Sequence, residues 1–155
     1  MLGYDEDIGM TEPLSNFEIR CGSWADLQVQ AALIRREVFI QEQGIAEVDE
    51  WDAQDQVSLH FVVYDQQQPI ATARLLANDH IGRVAVLKTY RGQGIGEQLM
   101  QNIIQQARIE QRTRLQLSSQ VHAIAFYQRL GFEVIGKAYL DCGIPHVDMA
   151  MQLAA

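Results

Sequence analysis

The stretch "YRGQGIGEQLM", residues 90 to 100, sets three glycines at alternate positions directly before a patterned run. They are Gly92, Gly94 and Gly96. Glycine costs roughly 1 kcal/mol relative to alanine inside a helix, so three at a helix start imply a need for bare backbone. Downstream, Ile95, Leu99, Met100, Ile103, Ile104 and Ala107 recur at helical spacing. Glu97, Gln98, Gln101, Asn102 and Gln105 fill the opposite face. This is the clearest amphipathic helix in the chain.

Three chemistries place glycine loops before helices. A P-loop requires Gly-Lys-Ser/Thr at the helix start, and here Gly96 is followed by Glu97 and Gln98. A dinucleotide fingerprint requires G-x-G-x-x-G between a strand and a helix, and here the spacing is G-x-G-x-G after a strand meander. The third is a pyrophosphate cradle, in which successive N–H groups and the helix dipole face an anion. Missing Cβ atoms let phosphate oxygens reach the backbone, and Arg91 adds a charged donor at the rim. A tight strand-to-helix turn explains the same spacing, so spacing alone leaves cradle and turn open.

Working outward, "FEIRC" reads as a strand. Ser23 is an N-cap candidate for a helix in which Trp24, Leu27, Ala31, Ile34 and Val38 share one face, ending near Phe39 or Ile40. The acidic "QEQGIAEVDEWDAQDQ" reads as a loop with about one helical turn. "SLHFVVYD", "IATARLLA" and "IGRVAVL" read as an antiparallel meander joined by "QQQP" and "NDH". "RLQLSS" is a strand and "VHAIAFYQRL" a helix stopped by Gly131. "FEVIG" and "PHVDMAMQL" close the chain as strands, with "KAYLDCGI" between them. The fold class is a mixed α/β domain. Residues 1–15 read as a flexible tail and 16–155 as a single domain.

The chain has 155 residues, 48% hydrophobic content and a formal charge of −8. That suffices for one core, and it disfavours sequence-independent nucleic-acid binding, which needs a basic footprint. Cys21 and Cys142 have no partner at ligand spacing, so neither a metal site nor a disulfide framework is expected. The acidic N-terminus resembles no signal or transit peptide, and no apolar run reaches membrane-spanning length. The expectation is a soluble, cytoplasmic protein without a membrane partner.

"VAVLKTYRGQGIGEQLM" closely resembles the acyl-CoA-binding motif of the GNAT N-acetyltransferases, with Arg91-Gly92-Gln93-Gly94-Ile95-Gly96 as its core. "AIAFYQRLGFEVIG" is similar to the second-half signature of that superfamily. "IRREVFIQEQ", "GRVAV" and "GIPHVDM" resemble its ElaA/YjcF-like branch. The resemblance implies a mostly antiparallel mixed sheet that splays in a V and is flanked by helices. It implies acetyl-CoA as cosubstrate and transfer to a primary amine of a small molecule or a lysine side chain, with a homodimer possible. Pantetheine would pair with backbone of Val84, Ala85 and Val86. Pyrophosphate would sit on Gln93, Gly94, Ile95, Gly96 and Glu97, with Arg91 and Gly92 at the loop entry. Where relatives carry a pantetheine-contacting Asn, this chain has Ser119-Gln120-Val121-His122, so Gln120 or His122 is the substitute.

Direct acetyl transfer needs a neutral amine, a donor for the oxyanion and a proton donor for the leaving sulfur. Tyr127 is the expected acid, on the basis that a phenol's pKa of about 10 lies above a thiol's of about 8.5. Its alternative role is as a core aromatic beside Phe126. The oxyanion donor is expected on the Val84–Val86 strand, at Val86. Candidates for base or acceptor contact are Glu42, His60 and His146. Cys142 lacks an activating base in "DCG" and is not expected to be a nucleophile. Arg74 and Arg83 either pair with the acidic "EVDEWDAQD" or fix an anionic part of the acceptor, ion pairing being the simpler account. Glu47, Asp49, Glu50 and Asp52 either attract an amine or form a solvated loop. The rival function is a non-catalytic acyl-CoA-binding or sensing module.

Overall fold

The computed structural model of the protein describes residues 17–153; the expected tail at 1–15 lies outside them. Strand β1 (Phe17–Gly22) leads into α1 (Trp24–Arg35), where the Ser23 side chain accepts the Asp26 N–H as an N-cap. The helical run does not stop near Ile40. It changes to a π-helix over Arg36–Glu42, and this wider winding brings Glu42 and Gln43 to the cleft described below. Then come the one-turn α2 (Glu47–Glu50) and a 3₁₀ turn at Ala53–Val57.

Strands β2 (Leu59–Asp65), β3 (Gln68–Leu75) and β4 (His80–Val86) form the expected meander, followed by α3 (Ile95–Ile109). Strand β5 (Arg114–Gln120), helix α4 (Ile124–Leu130) and the hairpin β6 (Glu133–Asp141) and β7 (Ile144–Gln152) complete the chain. One expectation fails here. The "KAYLDCGI" segment is not a connection, because β6 runs through it to Asp141. Gly136, at φ +80°, and a register shift between Ile135 and Tyr139 make a bulge, so the glycine bends the strand without ending it.

The seven strands form one sheet in the order β1-β2-β3-β4-β5-β7-β6. All neighbours are antiparallel except β4 and β5, which run parallel. That pair is registered only at His80 with Gln116 and Ile81 with Leu117. Beyond these residues β4 and β5 separate, and the sheet forks into a V. Two features prevent closure of the fork. Arg83 adopts φ +51° and the β3–β4 register shifts between Thr72 and Arg74, which bulges β4 just past the fork. Helix α3, whose Leu99, Met100, Ile103 and Ala107 are buried, packs beneath the meander. Its apolar face seats the glycine loop at the open end of β4. Among the described residues no helix is long and apolar enough to cross a membrane.

Candidate functional site

The open arms of the V border a cleft of about 1060 Å³. That lies at the upper end of ligand-pocket sizes, with room for two substrates. Its walls are the end of the π-helix, β4 past the bulge, the start of α3, β5, the first turn of α4 and the β6–β7 hairpin.

On the β4 arm, the Leu87 N–H donates back to Ile70 on β3. Neighbouring residues of a strand present their peptide groups to opposite edges. Val86 therefore turns its N–H and C=O into the gap, while Ala85, paired with Thr72, turns its own toward β3. Of the three backbone positions expected to receive pantetheine, Val84 and Val86 face the cleft with their peptide groups.

The glycine loop meets the requirement that its sequence raised. Gly92 and Gly94 both adopt φ +81°, a left-handed conformation that side chains resist. Gly96 packs close to α4, where a Cβ would lie 3.4 Å from Phe126 Cζ, an ordinary contact. Among the described residues the N–H groups of Gly92 through Glu97 have no backbone acceptor. Those of Ile95, Gly96 and Glu97 are the orphan donors of the α3 start and those of Gly92 to Gly94 belong to the loop before it. Gly92, Gly94, Ile95, Gly96 and Glu97 line the cleft, whereas the Gln93 side chain turns back to the Thr89 carbonyl.

Arg91 and Glu42, expected to serve different substrates, are joined. Arg91 Nη1 and Nη2 donate to the two Glu42 carboxylate oxygens, both at 2.7 Å, and Arg91 Nε donates to the Val86 carbonyl at 2.9 Å. The Arg91 guanidinium holds the Glu42 carboxyl below its ordinary range, which makes Glu42 a poorer base. A second tie lies on the β5 arm. Gln43 and Gln120 exchange side-chain hydrogen bonds of 3.3 and 3.0 Å, and His122 Nε2 lies 2.9 Å from Gln120 Oε1. The expected Asn substitute is therefore already committed to protein partners. The end of the π-helix thus holds both arms of the fork.

Tyr127 lines the cleft while its ring packs edge-on against Phe126 and Phe132. Among the described residues no group hydrogen-bonds its hydroxyl. Burial pushes its pKa up to about 12. A phenol whose pKa lies above that of the thiol it would form gives up its proton uphill, already so at its ordinary value of about 10, and the rise to about 12 steepens that slope. As it stands, Tyr127 is a neutral hydrogen-bond donor across the physiological range.

His146 also lines the cleft, stacked on Tyr139 with ring centroids 6.2 Å apart. Its Nδ1 lies 2.7 Å from the Ile144 carbonyl. A carbonyl only accepts, so Nδ1 is the donor in this contact, and among the described residues Nε2 has no hydrogen-bond partner. His60 is different. It is buried against Trp24, bonded through Nε2 to the Asp55 carbonyl and absent from the cleft wall. Desolvation lowers its pKa, and its role is structural. Cys142 sits at the β6–β7 turn, where desolvation and the carboxylates of Asp141 and Asp49 push its thiol up; both effects oppose a nucleophilic role.

The acidic loop is not simply solvated. Glu50 and Asp55 are each only 2% exposed and belong to a charge network with Asp52 and three arginines. Arg35 Nε donates to Glu50 and Arg35 Nη1 to Asp55, at 2.8 and 2.7 Å. Arg74 Nη1 joins Asp52 and Asp55 at 2.7 and 2.8 Å, and Arg83 Nε reaches Glu50 at 3.1 Å. Arg35 was missed in the sequence, although it falls four residues after Ala31 on the buried face of α1. The network anchors the acidic loop against β3 and β4, and Asp49 and Glu50 thereby line the cleft.

The Acetyltransferase (GNAT) domain profile matches residues 26–153. The chain belongs to the GNAT acetyltransferase family. Within GNAT it is 35% identical over 123 residues to the uncharacterized N-acetyltransferase YjcF of Bacillus subtilis, which spans 77% of this chain and 88% of YjcF. Among solved GNAT structures, an acyl-CoA N-acyltransferase from Pseudomonas aeruginosa superimposes with a TM-score of 0.78 at 34% identity, covering 87% of this chain and 99% of that one. Escherichia coli ElaA superimposes with a TM-score of 0.78 at 26% identity, with the same coverage of 87% and 99%. Membership of GNAT implies an acyl-CoA cosubstrate and an amine acceptor. Among the described residues no group of three or more His, Cys, Asp or Glu could hold a metal ion.

Proposed function

We propose that the protein is an acetyl-CoA-dependent N-acetyltransferase that moves the acetyl group directly to a primary amine of a small molecule or a lysine side chain. The observation that carries this reading is the continuity of the β4 edge with the loop amides. The cleft-facing backbone of Val84 and the Val86 N–H, whose own carbonyl is taken by Arg91 Nε, lead directly to the N–H groups of Gly92 through Glu97. An amide-rich chain ending in a diphosphate fits that sequence of groups from end to end. Acetyl-CoA is the cosubstrate of that shape and supplies the activated acyl group.

The chain's own residues divide the remaining work. The loop amides and the α3 dipole hold the pyrophosphate. The Val84 backbone holds the pantetheine as an added strand, and the Val86 N–H donates to the acyl oxygen as charge develops there. Tyr127 donates a hydrogen bond to the departing sulfur. The open Nε2 of His146 takes the proton that the amine must lose. Glu42 is the counter-ion of Arg91 in this scheme and not the base.

The test offers acetyl-CoA with a panel of primary amines, polyamines, amino sugars and lysine peptides while free thiol is followed. CoA binding in the low micromolar range or tighter, with turnover of some amines, is expected. Failure to bind CoA refutes the reading. CoA binding with no turnover across the panel supports the sensing module in its place.

A further inference from the structure

One buried donor in the cleft is left over. Arg74 is 5% exposed and lines the cleft, and among the described residues its Nε–H has no partner, although Nη1 donates to Asp52 and Asp55 and Nη2 to Asp52. Leaving such a donor unsatisfied costs about 1–3 kcal/mol, so the site favours a ligand that carries an acceptor atom. The Nε faces Gly82, its register partner on β4. A Cβ built on Gly82 would have Arg74 Nε at 3.9 Å as its sole neighbour within 4 Å. The absent side chain therefore leaves a small open pocket in front of the buried donor. Arg83 borders it. Its Nε and Nη2 are held by Glu50 and Asp52, while Nη1 has no partner among the described residues.

Within the network three arginines face three carboxylates, so the local charge is balanced. The missing partner is an oxygen lone pair. The pocket sits at the closed end of the fork, on the side away from the glycine loop. Along β4, at about 3.3 Å per residue, Gly82 lies roughly 7 Å from Val84 and roughly 13 Å from Val86, where the acyl group would be held.

We propose that the pocket over Gly82 is an acceptor subsite, in which Arg74 Nε–H, assisted by Arg83, holds a carbonyl or carboxylate oxygen of the amine substrate. This rests on the N-acetyltransferase reading and narrows its acceptor. The oxygen must lie several bonds from the nucleophilic nitrogen, as it does across the four-carbon stem of lysine. An α-amine, which shares its carbon with the carboxylate, cannot bridge the two points as the nucleophile.

The test compares lysine amide, free lysine and pentane-1,5-diamine, which has the same stem without the oxygen, by thiol release and by equilibrium binding to the CoA-loaded protein. In the native chain the oxygen-bearing amines are expected to exceed the diamine at least tenfold in kcat/KM and in affinity. Lysine exceeding its amide would identify a carboxylate as the occupant, and the reverse a carbonyl. Gly82→Ala fills the pocket without a steric clash and should collapse the preference to within about twofold, with CoA affinity unchanged. Arg74→Lys removes the Nε–H, keeps the charge, and should do the same. Equal preference for the diamine in the native chain, or a preference that survives Gly82→Ala in a folded variant, overturns the subsite. Absence of CoA binding would instead refute the parent reading. If no amine turns over, the binding comparison alone decides the subsite.

Discussion

Replacing Tyr127 by Phe removes one oxygen and keeps a ring that packs against Phe126 at 5.0 Å and Phe132 at 6.1 Å. Fold and CoA affinity should therefore hold, the latter within about twofold. Turnover should not. With the phenol at about 12 and a thiol at about 8.5, complete proton transfer to a free thiolate is uphill by roughly 5 kcal/mol. What Tyr127 supplies is a hydrogen bond to a charged acceptor, worth about 1.5–3 kcal/mol. At about 1.36 kcal/mol per decade, kcat should fall roughly 10- to 150-fold. The assay is thiol release under saturating acetyl-CoA, paired with calorimetric CoA binding. Equal losses in kcat and CoA affinity would show a packing role and refute the chemical one. A loss beyond about 10⁴-fold would refute the hydrogen-bond reasoning, since it exceeds what such a bond supplies.

The same hydroxyl makes stability depend on alkaline pH. Its folded pKa is raised above the unfolded value, so its contribution is complete below about pH 10 and is lost as pH rises toward 12. The total is roughly 3 kcal/mol, and Tyr127→Phe should flatten that part of a denaturation-versus-pH curve. Asp55→Asn leaves Arg35 and Arg74 short of a buried partner and should cost about 3–5 kcal/mol in urea unfolding; a loss under about 1 kcal/mol would contradict the network's role. Glu42→Gln frees Arg91 from a half-exposed carboxylate. It should tighten CoA binding a few-fold and leave the pH–rate profile in place, whereas a base would lose its acidic limb. Gly94→Ala forces a side chain to φ +81° and should cost about 1–2 kcal/mol of stability, with weaker CoA binding in the same variant.

Much of the fold was legible because its signals are local. The apolar faces of α1 and α3, the Ser23 cap, the stop at Gly131 and the strand runs each lie within one helix or strand. The misreadings occurred where a local signal had two outcomes. Gly136 reads as an end of strand and acts as a bulge, because pairing with β7 resumes beyond it. Arg35 drew no reading at all, because its burial depends on Glu50 and Asp55 folding back from 15 and 20 residues away.

The sequence by itself determined the family and the donor side. A cradle of consecutive N–H groups is a contiguous stretch, and its glycines are visible as glycines. Only the tertiary structure decided where the fork implied by the resemblance opens, since parallel pairing of β4 with β5 ends after Ile81 and Leu117. It also decided which candidate side chains are free. Glu42 is held by a residue 49 positions away and Gln120 by one 77 positions away, while His146 keeps its Nε2 open. Hydrogen-bond donors and carboxylates are exchanged between elements remote in sequence. Whether a reactive group is available is therefore a property of its neighbours in space.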